Sequence, residues 1–278
     1  MQHKPSYRSV DMALAYEDNE STVHLPRILC LHGGGTNARI FRMQCRAFKH
    51  HIGREFRFIF AEAPFPSKPG PDVTSVYSEY GPFRGWIRPF GDNEDAEACG
   101  AEASALIHDS VSAAIRADDQ LGATGPVVGL LGFSQGARMA ASLLYNQQLS
   151  SQRAEAGWMK WPKFRFAILL AGRGKLVWLM PEVPMPDGVV PPIQPVGTFP
   201  VDMDAPGWDD LKLRDKLLLP TVHVHGLTDE GLRFHRQLAL RYCVPDSSTV
   251  IEWQGEHRVP IKTKDVTPVV EQMLRLAR

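Results

Sequence analysis

Short apolar runs alternate along this chain with longer segments in which apolar residues recur at helical spacing. The apolar runs predict six strands, at 28–31, 56–61, 126–129, 164–171, 217–226 and 249–253. Several of these runs are apolar at nearly every position, which is typical of strands that are covered on both faces. The pattern therefore predicts a mainly parallel sheet buried inside the protein.

The segments between the runs predict the helices that would cover such a sheet. They are expected at 40–51, 93–118, 138–146, 230–242 and 267–276. Within the second of these, Ala103, Ile107 and Val111 recur at the spacing of one helix face. Strands that alternate with helices in this way indicate an α/β fold with helices on both faces of the sheet. A chain of 278 residues is long enough for one such domain, so we expect a single domain over 1–278.

Three segments depart from the alternation. Residues 1–26 are polar without a sustained period, and we expect a loose lead-in there. From about 172 to 215 the chain is rich in proline interleaved with apolar residues, which favours a cap over the functional site, with disorder as the alternative. A loop after the second strand holds five aromatic residues, Tyr77, Tyr80, Phe83, Trp86 and Phe90. These rings either line a substrate pocket or pack beneath the loop.

Charge and composition exclude several classes of partner. The chain has 31 basic and 31 acidic residues, which argues against nucleic-acid binding and against attraction to anionic membranes. No apolar run approaches the roughly 20 residues that span a bilayer, so we expect no stable membrane insertion. The first residues lack the apolar core of a secretory signal, and the four cysteines form no Cys-x-x-Cys pair. These features predict free thiols and a cytoplasmic location.

The sequence Gly132-Phe133-Ser134-Gln135-Gly136 lies between the third predicted strand and the helix that follows it. It matches Gly-x-Ser-x-Gly, in which a strand turns sharply into a helix and exposes the serine hydroxyl at the tip of the turn. The two glycines would let the strand and the helix approach each other closely. The helix N-terminus beside the serine favours negative charge. The pattern predicts a catalytic Ser134, and an ordinary tight turn is the alternative.

Three further segments follow predicted strands and would supply the partners of a catalytic serine. His32–Gly35 follows the first strand, Asp229 follows the fifth and His257 follows the last. Because the carboxyl ends of parallel strands meet at one edge of a sheet, we expect these segments to lie close together. The order serine, acid, histidine is that of the α/β-hydrolase fold. In this reading His257 is the general base, Asp229 orients it, and the backbone N–H groups of Gly34 and Gln135 form an oxyanion hole.

Each of these assignments has an alternative. His257 could be an ordinary histidine of a surface loop. Asp229 could cap the helix that follows it, and Glu230 is a weaker candidate for the acid.

Other histidines near strand ends have simpler interpretations. His223 and His225 share one face of a predicted strand and could bind a metal ion, but no third ligand lies at a suitable spacing. His32 and His225 each precede a glycine at a strand end, where we expect structural hydrogen bonds. We therefore expect neither a metal nor a cofactor.

Taken together, the motifs resemble those of the FSH family of fungal serine hydrolases. The resemblance rests on Leu31–Asn37 with Phe41, Ala63–Phe65, Gly81–Trp86, Gly132–Ala137, His225–Asp229 and Gly255–Pro260. It extends from about Arg27 to the C-terminus, although the proline-rich insertion is poorly matched. Within the family the chain looks most like the esterases and thioesterases of citrinin-type polyketide clusters. The resemblance implies an α/β-hydrolase fold, the triad Ser134, Asp229 and His257, and the oxyanion donors named above.

The resemblance also implies an activity. We expect hydrolysis of acyl thioesters or esters through an acyl-enzyme on Ser134, which would release or edit a polyketide chain presented by an acyl carrier domain. Phe133 and Trp86 are expected to contact the substrate. A general short-chain carboxylesterase and a ligand-binding protein with a hydrolase fold are the alternatives. A dienelactone-hydrolase-like enzyme is disfavoured because those enzymes place cysteine at the position of Ser134.

Overall fold

Parallel strands form the centre of the computed structural model, which describes residues 22–70, 73–153, 162–196 and 215–278. The strands are β1 (Arg27–Leu31), β2 (Arg57–Ala61), β3 (Phe65–Pro66), β4 (Arg84–Gly85), β5 (Arg88–Phe90), β6 (Val127–Phe133), β7 (Phe166–Leu170), β8 (Ile193–Pro195), β9 (Thr221–Gly226) and β10 (Ser248–Trp253). Six of them form one sheet of order β10-β9-β7-β6-β1-β2, in which every pair is parallel. The other four form two small two-stranded sheets, β3–β4 and β5–β8.

Helices cover both faces of the six-stranded sheet. They are α1 (Ala38–Gln44), α2 (Arg46–Ile52), α3 (Thr74–Tyr77), α4 (Ala96–Gln120), α5 (Gln135–Arg153), α6 (Leu232–Tyr242) and α7 (Thr263–Ala277), with 3₁₀ turns at Ser78–Tyr80 and Pro245–Ser247. One apolar cluster packs α4, α5 and α6 against the sheet, and a second packs α1, α2 and α7 against it. This arrangement confirms the predicted α/β-hydrolase class. None of the helices in the described ranges is long and apolar enough to cross a membrane.

Some predicted boundaries were wrong. The segment predicted as one helix over 40–51 forms two helices that meet at Cys45, where the backbone leaves the helical region (φ −81°, ψ 7°). Phe41 in the first helix and Phe48 in the second belong to the same apolar cluster. At the chain's end, α7 begins at Thr263, one turn before the predicted start, because Pro268 is accommodated inside the helix. Apolar periodicity locates the helices but not their breaks.

The described part of the predicted cap is ordered around apolar contacts. Val177 forms a bridge to Val190, and the segment from Leu176 to Met180 is buried in the cluster that includes α4 and α5. Further along, β8 pairs with β5. Residues 197–214 of the predicted cap and residues 1–21 of the predicted lead-in lie outside the described residues. The single domain and the cap therefore stay predictions.

A buried ion cluster closes the amino ends of β1 and β2. Arg27 and Arg57, the first residues of these strands, lie side by side in the parallel register. Asp118 on α4 accepts hydrogen bonds from Arg57 Nε at 2.8 Å and Nη2 at 2.7 Å, and Arg27 Nη1 lies 3.3 Å away. All three side chains are less than 10% exposed. This cluster joins α4 to the end of the sheet that is remote from Ser134.

Candidate active site

Ser134 sits in a strained turn between β6 and α5. Its φ is +53°, a left-handed conformation that is uncommon for residues other than glycine. A Cβ atom on Gly132 would lie 2.3 Å from the carbonyl oxygen of Gly136, and one on Gly136 would lie 2.0 Å from that of Leu31. Neither approach is possible for a larger residue. Both glycines are therefore required by the close passage of the strand, the turn and the helix.

The structure brings Ser134, His257 and Asp229 into one hydrogen-bonded row. Ser134 Oγ lies 2.9 Å from His257 Nε2, and His257 Nδ1 lies 2.7 Å from Asp229 Oδ2. The His257 side chain is 26% exposed, whereas that of Asp229 is 3% exposed. The three residues come from the ends of β6, β9 and β10, as predicted from their positions along the chain.

Asp229 is held as a buried carboxylate. Its Oδ1 accepts the N–H of Gly231 at 2.8 Å, while its Oδ2 accepts from His257. Burial alone would raise the pKa of Asp229, but the hydrogen bond and charge of His257, the nearby His235 and the Gly231 N–H together lower it. Glu230, the weaker candidate, is exposed. Gly231 lies just before α6, so this hydrogen bond also stabilises the turn that leads into the helix. Asp229 therefore has a structural role close to the capping role given above as the alternative.

The glycine-rich loop after β1 lies beside the nucleophile. Gly35 has a φ of +71°, and its N–H donates to the carbonyl of Arg84 at 2.9 Å while its own carbonyl accepts from Gly70 at 3.0 Å. A Cβ on Gly34 would lie 3.2 Å from the Gln135 side chain. Within the described residues, neither the Gly34 nor the Gln135 N–H donates to a protein acceptor. Both amides are thus available to a developing oxyanion.

Comparison with known proteins identifies the family. Residues 21–269 match the model of the family described as serine hydrolase (FSH1). The chain belongs to this family. Esterase dbaE of Emericella nidulans is 51% identical over 263 residues, which cover 94% of each chain. Esterase pigG of Monascus ruber is 48% identical over 270 residues, which cover 93% of this chain and 94% of the relative.

The fold of this FSH1 hydrolase is shared more widely. The crystal structure of esterase PE8 superposes with a TM-score of 0.51 at 16% identity and covers 92% of this chain and 96% of its own. Identity this low bears on the fold alone. Family membership, in contrast, makes the chain a serine hydrolase, which answers the alternative of a ligand-binding protein.

The Gln135 side chain connects the nucleophile turn of the FSH1 hydrolase to the aromatic loop. Its Oε1 accepts the backbone N–H of Trp86 at 2.6 Å. The Trp86 ring is fully buried, and its Nε1–H donates to the carbonyl of His32 at 2.9 Å. Trp86 therefore supports the loop that carries Gly34. The predicted substrate contact of Trp86 finds no support in this placement, which matches the alternative of a ring packed beneath the loop.

Removing the Gln135 side chain tests this connection. In Gln135→Ala the backbone N–H is kept but the Trp86 N–H loses its acceptor, so the loop carrying Gly34 is less firmly held. We expect kcat for ester hydrolysis to fall about tenfold with KM little changed, because misplacing an oxyanion donor raises the barrier. Gln135→Glu retains an acceptor oxygen and should lose less. An unchanged kcat in Gln135→Ala would contradict the connection.

The other predicted contact residues occupy different surroundings. Phe133, the last residue of β6, is 6% exposed, and its ring centroid lies 5.1 Å from that of His257. Phe133 is therefore at the site and restricts the position of the His257 ring. Tyr77 and Tyr80 pack edge to face at 5.8 Å, and the Arg39 guanidinium lies 4.9 Å from the Tyr80 ring. Substrate contact by Phe133 stays a prediction.

His32 has the structural role that its position predicts. The side chain is fully buried, its Nε2 accepts the N–H of Ala63 at 3.0 Å, and its Nδ1 lies 2.7 Å from the carbonyl oxygen of Gly33. Its Nε2 also lies 3.1 Å from Glu62 Oε1. His32 thereby connects the glycine-rich loop to the end of β2.

Sequence reasoning missed His235. This residue of α6 is fully buried, with Nδ1 3.8 Å from Asp229 Oδ2 and its ring 5.8 Å from that of His257. A usable signal existed, because His235, Leu238, Ala239 and Tyr242 form the buried stripe of α6 at helical spacing. A histidine within the apolar stripe of a helix, one to two turns after the predicted acid, indicates a polar group buried close to that acid.

The two histidines of the predicted strand do lie on one face of β9. The rings of His223 and His225 are 6.1 Å apart and both are buried. The ring of His225 lies 5.7 Å from that of His235, which in turn lies beside the ring of His257. The rings of His223, His225 and His235 therefore form a row that starts at His257. Burial lowers the pKa of His223 and of His235 to about 3 in each case, with only partial compensation of His235 by Asp229.

These two buried histidines make stability depend on pH. A histidine that is neutral when folded and has an ordinary pKa near 6.5 when unfolded favours the unfolded state as the pH falls below about 6.5. Each contributes about 1.4 kcal/mol per pH unit, so two give about 2.7 kcal/mol per unit between about pH 6 and 4.5. Urea unfolding across that range measures the slope. His223→Gln should lower the slope by about 1.4 kcal/mol per pH unit, and the exposed His50→Gln should leave it unchanged; equal slopes in all three proteins would contradict the assignment.

Proposed function

We propose that this FSH1 hydrolase cleaves acyl thioesters and esters through a covalent acyl-enzyme on Ser134. The observation that carries the proposal is the continuous row from Ser134 Oγ through His257 to Asp229 Oδ2, with contacts of 2.9 and 2.7 Å. Nucleophile, base and orienting acid at these separations are what acyl transfer needs.

Acylation uses each member of the row. The Ser134 hydroxyl donates its hydrogen bond to His257 Nε2, so His257 takes the proton as Oγ attacks the acyl carbon. The imidazolium that forms keeps its Nδ1–H on Asp229, whose lowered pKa keeps it ionised. His257 then gives the proton from Nε2 to the leaving thiol or alcohol as the carbon–sulfur or carbon–oxygen bond breaks. The acyl group remains on Ser134 Oγ.

Deacylation repeats the sequence with water. His257 removes a proton from the water that attacks the acyl carbon and returns it to Ser134 Oγ as the free acid leaves. In both halves the oxyanion accepts hydrogen bonds from the N–H groups of Gly34 and Gln135. Loss of one such donor in an enzyme of this kind costs about 2.7–4 kcal/mol in the barrier.

We further propose that the acyl group is a polyketide chain carried as a thioester on an acyl carrier domain, and that the enzyme releases or edits it in the cytoplasm. The resemblance to esterases of fungal polyketide clusters supports this choice of substrate. The relatives named above come from Emericella nidulans and Monascus ruber. All four cysteines are buried free thiols, which agrees with a reducing compartment.

Intact-mass spectrometry tests the proposal directly. After brief incubation with acyl thioesters of an acyl carrier domain, the protein is expected to gain the mass of one acyl group, and peptide mapping should locate it on Ser134. The added mass reports the chain. A fluorophosphonate should label the same residue in a parallel sample. Labelling of Ser134 without any adduct or turnover from carrier thioesters would leave the hydrolase but refute the carrier-bound substrate.

A general carboxylesterase is the second candidate, because the relatives are named esterases and nothing in those names specifies a thioester. Matched acyl chains presented as oxygen esters and as thioesters separate the two. A carboxylesterase should hydrolyse short oxygen esters with the higher kcat/KM and gain nothing from attachment of the chain to a carrier domain. The thioesterase should show the reverse order.

A further inference from the structure

Asp229, His257 and His235 form a compact group of metal-ligating side chains. One donor atom from each of the three lies within 4.8 Å of the donors of the other two. Asp229 Oδ2 is central, since it lies 2.7 Å from His257 Nδ1 and 3.8 Å from His235 Nδ1. Two donors that bind one tetrahedral zinc ion, each at about 2.0–2.1 Å, lie about 3.3 Å apart. The two separations from Asp229 Oδ2 lie about half an ångström to either side of that value.

His235 provides an independent reason to consider a ligand. Its side chain is fully buried, and neither ring nitrogen has a hydrogen-bond partner among the described residues. Leaving a buried polar atom without a partner costs roughly 1–3 kcal/mol, which makes it uncommon in folded proteins. Triad chemistry requires only Ser134, His257 and Asp229, so it does not explain a second imidazole 3.8 Å from Asp229 Oδ2.

We propose that Asp229, His235 and His257 bind one Zn²⁺ ion and that this ion inhibits the enzyme. The inference rests on the proposed function, because it takes His257 as the catalytic base. Two imidazole nitrogens and one carboxylate oxygen are a donor set that zinc accepts readily, whereas Mg²⁺ and Ca²⁺ prefer oxygen donors alone. Of the three ligands, His257 is the one in contact with solvent, since its side chain is 26% exposed whereas those of Asp229 and His235 are 3% and 0% exposed.

Inhibition follows from which ring nitrogen of His257 carries the proton. In the resting site the proton is on Nδ1, where it bridges to Asp229, and Nε2 accepts from Ser134. When zinc bonds to Nδ1 and to Asp229 Oδ2, the imidazole stays neutral by carrying its proton on Nε2 instead. An Nε2–H can no longer take the Ser134 proton. Zinc therefore replaces the orienting hydrogen bond and removes the base in one step, without any redox change.

Zinc titration of the full chain is the first test. Hydrolysis of a p-nitrophenyl ester in chelator-free buffer should fall as ZnCl₂ is added, recover fully on addition of EDTA, and be unaffected by MgCl₂ at the same concentration. His235→Gln should raise the zinc concentration for half-inhibition at least about tenfold, measured against its own zinc-free rate. His50→Gln, an exposed histidine, should leave it unchanged. Absence of inhibition, or equal sensitivity in wild type and His235→Gln, would overturn the site.

Calorimetry on Ser134→Ala separates the zinc site from catalysis. This variant keeps all three ligands and should bind one Zn²⁺ per chain, while Ser134→Ala combined with His235→Gln should not. His235→Phe, which preserves the ring volume, replaces His235→Gln if the latter fails to fold. If Ser134→Ala binds zinc but the wild-type protein has no hydrolase activity, the proposed function is refuted and the zinc site is not. An active wild type whose Ser134→Ala variant binds no zinc would refute the zinc site alone.

Discussion

Replacing Ser134 by alanine is expected to lower kcat for p-nitrophenyl esters and for acyl thioesters at least about 10⁴-fold. The variant loses the only atom that the proposed mechanism bonds to the acyl group, and removal of the nucleophile from an acyl-transfer triad costs on this scale or more. The fold should survive, because alanine has the same Cβ as serine and adds no steric conflict at φ +53°. Steady-state kinetics and thermal unfolding of the same preparation measure the two effects.

The control for this result is another hydroxyl group near the same helix. Ser151 lies on α5, is exposed, and donates to the carbonyl of Gln147 at 2.9 Å. Ser151→Ala should therefore leave kcat unchanged. Hydrolysis by Ser134→Ala at the wild-type rate would mean that another residue is the nucleophile and would refute the triad.

Replacing Asp118 by asparagine is expected to destabilise the protein by about 3–5 kcal/mol. Arg27 and Arg57 would keep their charges in a buried site without the carboxylate that accepts from both. Removing one partner from a buried ion cluster lowers the free energy of unfolding by more than the intact ion pair contributes to it, because the remaining charges stay buried without a partner. Urea unfolding followed by circular dichroism gives the free energy of unfolding directly.

Asp119 offers a matched control for this substitution. It also contacts Arg27, at 2.5 Å, but its side chain is 49% exposed, so solvent can replace the lost interaction. Asp119→Asn should cost about 1 kcal/mol or less. Because the cluster lies at the amino ends of the strands, remote from Ser134, kcat of the folded Asp118→Asn protein should match wild type. Equal destabilisation by the two substitutions would contradict the role of burial.

The sheet was predictable because its strands are apolar nearly throughout. Runs such as Ile28–Leu31 have no polar face, so burial on both sides was the only consistent outcome, and the helices between them had to supply the cover. The break at Cys45 was not predictable in the same way. Both halves of that segment keep apolar residues at helical spacing, and Phe41 and Phe48 lie two turns apart, so the apolar pattern runs across the break without marking it.

Some active-site residues could be predicted from the sequence and others could not. Ser134, Asp229 and His257 follow strands directly, so topology alone brings them to one edge of the sheet. His235 and the side chain of Gln135 make contacts between different elements; the buried stripe of α6 indicates that His235 is buried, but no spacing shows that it meets Asp229. For Trp86 the sequence left two readings open, because an aromatic residue in a loop has the same local sequence whether it lines a pocket or packs beneath the chain.

The order of strands in the sheet has a consequence for insertions into the chain. β7 lies between β6 and β9, so the strand ends that precede Ser134 and Asp229 stand about two strand spacings, or about 9.6 Å, apart. Between β7 and β9 the chain makes a long excursion, from 171 to 220. Doubling the length of a flexible excursion costs only about 0.6 kcal/mol in closure entropy. Insertions into the exposed turns of this excursion are therefore expected to cost little stability and to leave the spacing of β6 and β9 unchanged.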